Sequence, residues 1–288
     1  MGYNEGMKNR LTAIICAVLA VLVVLALIFW PHGDAESVVY DGMKVYAFEA
    51  GKADAFLIYD DDFAVLLDTG EKELGDTILD YLAAEGISRL DYLIISHFDK
   101  DHVGSAAKIL KNVEVGQILQ SNYPKESKVY EKYLDAVVGK NVQTVREDME
   151  FSLGKARFVI DAPAAEKYAD DPSNNSSLIV SVFYAKTRWL FMGDAEDARL
   201  SEWLAENADT QMETTYDFLK VPHHGKYQRK LGDLVVATWP KFALITSSDD
   251  EPEDDVTSMY LRTDAKLYLT RRGAVLFSTD GENIAASR

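Results

Sequence analysis

The sequence predicts an α/β sandwich carried behind a single N-terminal transmembrane helix. Three observations support this: an uncharged run over residues 11–30, two β-rich halves each accompanied by amphipathic helices, and four hydrophobic strands that each end in a potential metal ligand. With 288 residues and 48% hydrophobic composition, the chain has enough apolar side chains to bury a sizeable core.

The N-terminal run, LTAIICAVLAVLVVLALIFW, holds no charge, and about 20 residues rising ~1.5 Å each match a hydrocarbon core of ~30 Å. The rival reading is a cleaved signal peptide, whose apolar core usually spans roughly 7 to 15 residues and closes on small residues. This run closes on IFWPHG instead. Lys8 and Arg10 precede it and Asp34 and Glu36 follow it. The positive-inside bias therefore expects a cytoplasmic tail over 1–10, a membrane anchor over 11–30, a linker over 31–37 and a domain over 38–288 outside the cell membrane. The single cysteine, Cys16, lies within the apolar run, which leaves the outer domain no thiol for disulfides or soft metal sites. His32 reads as linker. A net charge of −17 opposes non-specific association with nucleic acid. It leaves metal-assisted phosphate chemistry open, because bound cations invert the local potential.

Beyond the linker, VVYDG, KVYAFEA, DAFLIYD and FAVLLDTG are short, β-branched or aromatic-rich and separated by turn residues, which predicts a meander of strands. Residues 73–85 then place Leu74, Ile78, Leu79 and Leu82 at helical spacing, with Gly86 as a C-cap. A buried strand, DYLIIS, leads directly into His97. In the second half SSLIVSVFYA, RWLFMGD, DFLKVPHHG and FALITSS predict strands. A helix over roughly 195–207 follows from Ala195, Ala198, Leu200, Trp203 and Leu204, with Asp194 at the N-cap position. The acidic run DDEPEDD at 249–255 reads as a solvated turn and helix start.

The chemistry concentrates in SHFDKDHVGS, residues 96–105, which spends two of the five histidines of the chain in the pattern His97-x-Asp99-x-Asp101-His102. A loop leaving a buried strand aims alternate side chains to one side. His97 and Asp99 can then serve one ion while Asp101 and His102 serve a neighbour. Imidazole with carboxylate suits zinc, manganese or iron.

Five further pieces follow in order: AGKADAFLI at 50–58, LLDTG at 66–70, NNSSLIV at 174–180, LFMGDAE at 190–196 and LKVPHHGK at 219–226. Together they resemble the metallo-β-lactamase superfamily, whose first motif is His-x-His-x-Asp-His. With Asp99 at the second histidine, the chain resembles in particular the hydrolase domain of ComEC-type competence proteins. The resemblance covers about residues 40–280 and implies an αββα four-layer sandwich holding two divalent ions, zinc or manganese. It implies metal ligation by His97, Asp99, Asp101, His102, Asp194 and His224, with the Asp194 carboxylate bridging the ions. His224 is favoured over His223 as the last ligand because glycine follows it. His223 then contacts substrate or transfers a proton, although the sequence alone leaves the two roles exchangeable. No histidine stands between His102 and His223; ComEC-like proteins have an asparagine-rich segment at the place of the usual middle ligand, and the resemblance implies Asn174 and Asn175 there, with Asn175 as the candidate. Asp68 and Asp54 are expected to support the ligands from behind.

The implied reaction is hydrolysis, with Asp101 and His223 in catalytic roles and Lys226 helping to orient substrate oxygens. A dicationic clamp favours a phosphodiester or related ester, either a small molecule or a cell-surface substituent. Two other readings stand beside it. Asp99 and the missing middle histidine motivate an extracytoplasmic binding or assembly module that keeps the fold. A DNA-processing role in competence would need a separate channel partner, and DDEPEDD replaces an asparagine- and histidine-containing motif of the competence proteins.

Overall fold

Alternating side chains along the strands sort themselves to opposite faces, and the result among the described residues is two sheets of eight and seven strands. The computed structural model describes residues 38–207, 215–250 and 252–288. The expected tail, anchor and linker over 1–37 lie outside the described residues. Among the described residues no helix is long and apolar enough to cross a membrane, and Val38–Arg288 clusters as one unit.

In spatial order the first sheet is β15 (Ile284–Ser287), β14 (Val275–Thr279), β1 (Lys44–Ala47), β2 (Phe56–Tyr59), β3 (Ala64–Leu67), β4 (Arg89–Ile95), β5 (Glu114–Gln120) and β6 (Val142–Thr144). The second is β13 (Lys266–Leu269), β12 (Phe242–Ile245), β11 (Phe218–Lys220), β10 (Thr187–Phe191), β9 (Ile179–Tyr184), β8 (Ala156–Asp161) and β7 (Met149–Leu153). Ile58, Val65 and Ile94 join Phe158, Trp189, Phe191 and Phe218 in the core between the sheets. The alternate residues Leu57, Leu66, Leu93 and Ile95 turn outward beneath α1 (Gly75–Ala84), α2 (Lys100–Val103), α3 (Ala106–Asn112) and α4 (Lys128–Val137). A third core, with Leu219 and Ile245, lies beneath α5 (Asp197–Glu206), α6 (Leu231–Thr238) and α7 (Asp254–Leu261). Helices therefore cover both outer faces, giving the expected four layers. Every residue of β2, β3 and β12 is buried, as strands covered on both faces must be.

The meander expectation holds for β1, β2 and β3, which pair antiparallel. VVYDG is corrected: residues 38–42 form no strand, although the Tyr40 backbone N–H donates to Ser278 Oγ. The first helix begins at Gly75 after a 3₁₀ turn over Lys72–Leu74, and Gly86 stands beyond it at φ +72. The second helix begins at Asp197 with Glu196 at its N-cap. Asp194 is thus not the cap; its carboxylate is needed elsewhere.

Parallel pairing positions the site. β3, β4, β5 and β6 run parallel, as do β10, β11, β12 and β13. Parallel strands release their carboxyl ends at one edge, where a crevice forms. Asp68 follows β3, His97 follows β4, Asp194 follows β10, His223 and His224 follow β11, and Thr246 follows β12. Hydrophobic runs that end in polar residues are thereby converted into one polar cluster at the edge shared by the two sheets.

Candidate metal centre

The loop after β4 turns directly into α2, so Asp101 and His102 occupy the first turn of a helix whose start is fixed by His102 N–H and Val103 N–H donating to Asp99 O. Gly104 permits this turn to press on the loop after β3, where a Cβ would stand 2.6 Å from Gly70 O and 2.7 Å from Glu71 Cα. Across the site His223 and His224 both adopt left-handed backbone, with φ of 45 and 53. Two consecutive non-glycine residues there cost on the order of 1–2 kcal/mol each. The conformation is held because His223 N–H donates to Gly193 O at 3.1 Å and Lys226 N–H donates to His223 O at 2.8 Å. It sends the two imidazoles in different directions.

Three histidines are oriented from behind. His102 Nδ1 lies 2.8 Å from Asp68 Oδ2, and Asp68 in turn accepts from Ser96 N–H at 2.7 Å and Ser96 Oγ at 2.6 Å. His224 Nδ1 lies 2.9 Å from Thr246 Oγ1, which donates to Asp54 Oδ1 at 2.6 Å. His97 Nδ1 lies 3.1 Å from Ser96 Oγ. With each Nδ1 occupied, the Nε2 atoms of His97, His102 and His224 point inward, buried and without a hydrogen-bond partner. Such a fixed tautomer is how a protein presents imidazole to a metal.

Asp101, His102, Asp194 and His224 offer four donor atoms within 4.8 Å of one another. His102 Nε2 stands 3.2 Å from Asp194 Oδ1, and His224 Nε2 stands 3.1 Å from Asp194 Oδ2 and 3.6 Å from Asp101 Oδ2. Ligand bonds of about 2.0–2.2 Å place neighbouring donors about 3.0–3.5 Å apart, so these spacings, unaligned for hydrogen bonding, fit a shared divalent cation. With protons alone to balance the carboxylates, burial lowers the pKa of His102 and His224, but the surrounding carboxylates together, Asp194 with Asp68 for His102 and with Asp101 for His224, outweigh it and hold both above the usual range. Burial likewise raises Asp194, yet His224, His102 and Lys220 carry it well below the usual carboxylate range. A divalent cation would supply the same positive charge and leave the imidazoles neutral.

The structure places His224 in this four-residue group and His223 at the rim. His223 Nε2 is 3.9 Å from Asp194 Oδ2, while Nδ1 is 2.9 Å from Glu196 Oε1 but out of hydrogen-bonding alignment. Burial, with His224 and Lys226 nearby, lowers its pKa. His97 is lowered further, to about 3, by burial and then by His102, whose ring centroid is 4.1 Å away. Asp99 stands 3.9 Å from His97 Nε2 but carries its charge to Lys125 and Ser173.

Asn175, the candidate middle ligand, has its amide partnered within the fold: its Oδ1 accepts from Arg199 N–H at 3.0 Å in the first turn of α5, and its Nδ2 donates to Asp170 O at 2.8 Å. Asn174 is the neighbour that lines the cavity over the cluster. Lys226 is taken by Glu196 at 3.0 Å.

Sequence reasoning missed Lys220. This fully buried lysine has Nζ 2.5 Å from Asp54 Oδ2, 2.8 Å from Gly193 O and 3.5 Å from Asp194 Oδ1. Burial lowers its pKa, but Asp54 and Asp194 outweigh that and raise it. A lysine inside the apolar strand FLK was the available signal. Asp54 therefore serves Lys220 and Thr246 first and lies 3.6 Å or more from the ligand imidazoles.

Above the cluster a cavity of about 470 Å³ is lined by Asp99, Asp101, Asp194 and His223 together with Lys52, Lys100 and Lys125. A larger hollow of about 710 Å³ between α5 and α6 carries no comparable donor set.

The chain belongs to the metallo-beta-lactamase superfamily: the pattern of that family matches residues 49–236. Within it, the similar curated proteins are of the ComEC type that the sequence resembles. The chain is 29% identical over 203 residues to ComE operon protein 3 of Bacillus subtilis, covering 64% of this chain and 25% of that protein. It is 30% identical over 220 residues to Recombination protein 2 of Haemophilus influenzae, covering 73% and 25%. The chain thus spans about a quarter of the length of these relatives. Among solved structures it is similar to the metallo-beta-lactamase fold protein YhfI from Bacillus subtilis, with TM-score 0.53 and 12% identity over 85% of this chain and 99% of the other. It is also similar to Tm1679, a metal-dependent hydrolase of the beta-lactamase superfamily, with TM-score 0.52 and 14% identity over 79% and 95%. At these identities the likeness carries the fold alone.

Proposed function

We propose that the chain is a membrane-anchored, metal-dependent hydrolase of phosphodiester or related ester bonds. The observation that carries this reading is the pair of unpartnered Nε2 atoms of His102 and His224 beside Asp101 and Asp194, with the unpartnered Nε2 of His97 on the neighbouring ring, under a cavity that also presents lysines. Asp101, His102, Asp194 and His224 would hold one divalent ion, and His97 with Asp99 would contribute to a second; zinc and manganese both suit such donors. Bound ions supply Lewis acidity and an activated water nucleophile.

The chain's own residues do the rest. Asp68, Thr246 and Ser96 lock the imidazoles in the tautomer that presents Nε2. Lys220 holds Asp194 from behind. His223, neutral because its pKa is lowered, offers Nε2 at the rim to take or return a proton. The cavity lysines orient anionic oxygens, which the net charge of −17 would otherwise repel. The apolar run over 11–30 would place the domain outside the cell membrane with its N-terminus cytoplasmic. Phosphorylated cell-surface substituents and small phosphoesters are therefore the substrates we favour, ahead of DNA.

One observation favours a second reading, a binding or assembly module with reduced metal content: Asp99 and Asn175 are both committed to other partners. The test is hydrolysis of bis(p-nitrophenyl) phosphate by the full chain in detergent, stripped of metal and reloaded with zinc or manganese. Metal-dependent turnover abolished in Asp194→Ala supports the hydrolase. No turnover with either ion, at less than one bound ion per chain, supports the binding module.

A further inference from the structure

Asp99 occupies a position where a carboxylate must choose between two cations. Its side chain, three-quarters buried, pairs with Lys125 and accepts from Ser173. The same Oδ1 also faces His97, 1% exposed, whose Nε2 is 3.9 Å away and has no hydrogen-bond partner. An unpartnered buried imidazole facing a carboxylate is half of an ion site. The same carboxylate is already neutralised by an ammonium. A divalent cation brought to Asp99 meets the Lys125 charge at close range, so each weakens the other's hold on Asp99.

Lys125 is placed to leave. It stands on the segment between β5 and α4, its side chain is 33% exposed, and it lines the cavity over the cluster with Lys52 and Lys100. Among the described residues, the only lysine paired with the four-donor group of Asp101, His102, Asp194 and His224 is Lys220, which reaches Asp194 from the buried side. The two halves of the centre therefore differ in kind.

We infer that Lys125 is a specificity-determining counter-ion that occupies Asp99 until an anionic group enters the cavity, and that yields Asp99 to a second ion only then. Exchange of partners couples the two events. An anion that draws off the ammonium tightens the second ion, and by reciprocity the second ion tightens the anion. Neutral esters cannot draw Lys125 away and would meet a centre with one ion. The inference rests on the metal-centre reading above and adds to it which substrates complete the centre.

The test is manganese binding to the full chain in detergent, followed by calorimetry and by equilibrium dialysis, with and without inorganic phosphate, for the wild type, Lys125→Met and Lys125→Arg. The wild type is expected to bind one ion firmly and a second more weakly, with phosphate tightening the second. Lys125→Met should tighten the second ion about tenfold without phosphate, within the usual range for coupled sites, and gain less from phosphate. Lys125→Arg, which keeps the charge, should behave as the wild type. Far-ultraviolet circular dichroism establishes that each variant is folded. Two equally firm ions in the wild type, or an unchanged second ion in Lys125→Met, overturns the role of Lys125. Failure to bind any ion overturns the metal-centre reading with it, whereas intact ion behaviour without phosphodiester turnover overturns only the proposed reaction.

Discussion

Lys220→Met removes the one ammonium that, among the described residues, is buried beneath the cluster, while keeping an unbranched side chain of similar length. Lys220 Nζ is 2.5 Å from Asp54 Oδ2 and both side chains are essentially inaccessible. At that separation and an effective dielectric of about 20, unit charges attract by roughly 6–7 kcal/mol. Desolvation of both groups offsets much of this, so the pair's net worth is smaller. Removing one member leaves Asp54 charged, buried and uncompensated, which costs about 3–5 kcal/mol. For a domain of this size, about 2–4 °C per kcal/mol gives a Tm lower by roughly 6–20 °C. Calorimetry and guanidinium unfolding of the metal-stripped chain measure this directly. The double variant Asp54→Asn/Lys220→Met removes both charges and should recover more than half of the loss. A loss below about 1 kcal/mol, or a double variant as unstable as Lys220→Met alone, would refute the claim that charge compensation by Lys220 holds this side of the site together.

Three further outcomes are expected. Asp68→Asn unties His102 Nδ1 and should weaken binding of the first ion about 10–100-fold in a chelator competition, with little change in fold. Asn175→Ala should lower stability by about 1–3 kcal/mol, because the buried Arg199 N–H loses its acceptor; ion stoichiometry by plasma emission should stay as in the wild type, and a lost ion would mark Asn175 as a ligand. Burial and Asp161 push the Glu206 carboxyl up from 4.5 to about 7. The folded state therefore retains that proton between pH 4.5 and 7, and stability declines as pH rises through this window. Glu206 is exposed, so the decline is under about 1 kcal/mol; Tm scans should show it in the wild type and not in Glu206→Gln.

Legibility followed sequence distance. Within residues 96–105 the spacing of His97, Asp99, Asp101 and His102 fixed which residue types could meet an ion, because strand and loop geometry over a few residues is set locally. The strands carrying Asp68, Asp194 and His223–His224 were legible for the same reason: each is a short apolar run that stops at a polar residue. The α/β sandwich followed from β-rich runs with amphipathic helices beside them, and its αββα order was what the family resemblance implied; the strands buried on both faces agree with it.

Partners chosen across the fold were not legible. Asn175 reads as an amide near the motif, but the first turn of α5 brings Arg199 N–H to its Oδ1. His223 and His224 are neighbours in sequence, and only the left-handed turn over both decides that His224 enters the donor group while His223 faces the cavity. Lys220 looks like an interruption in a strand until β11 sets it between Asp54 and Asp194, residues 140 positions apart. The sequence by itself determined the apolar run, the layers and the residue types able to bind metal, since these depend on composition and local periodicity. Tertiary structure alone decided which of those groups remain unpartnered, because a buried polar atom's role depends on the partners that distant strands bring within 3 Å of it.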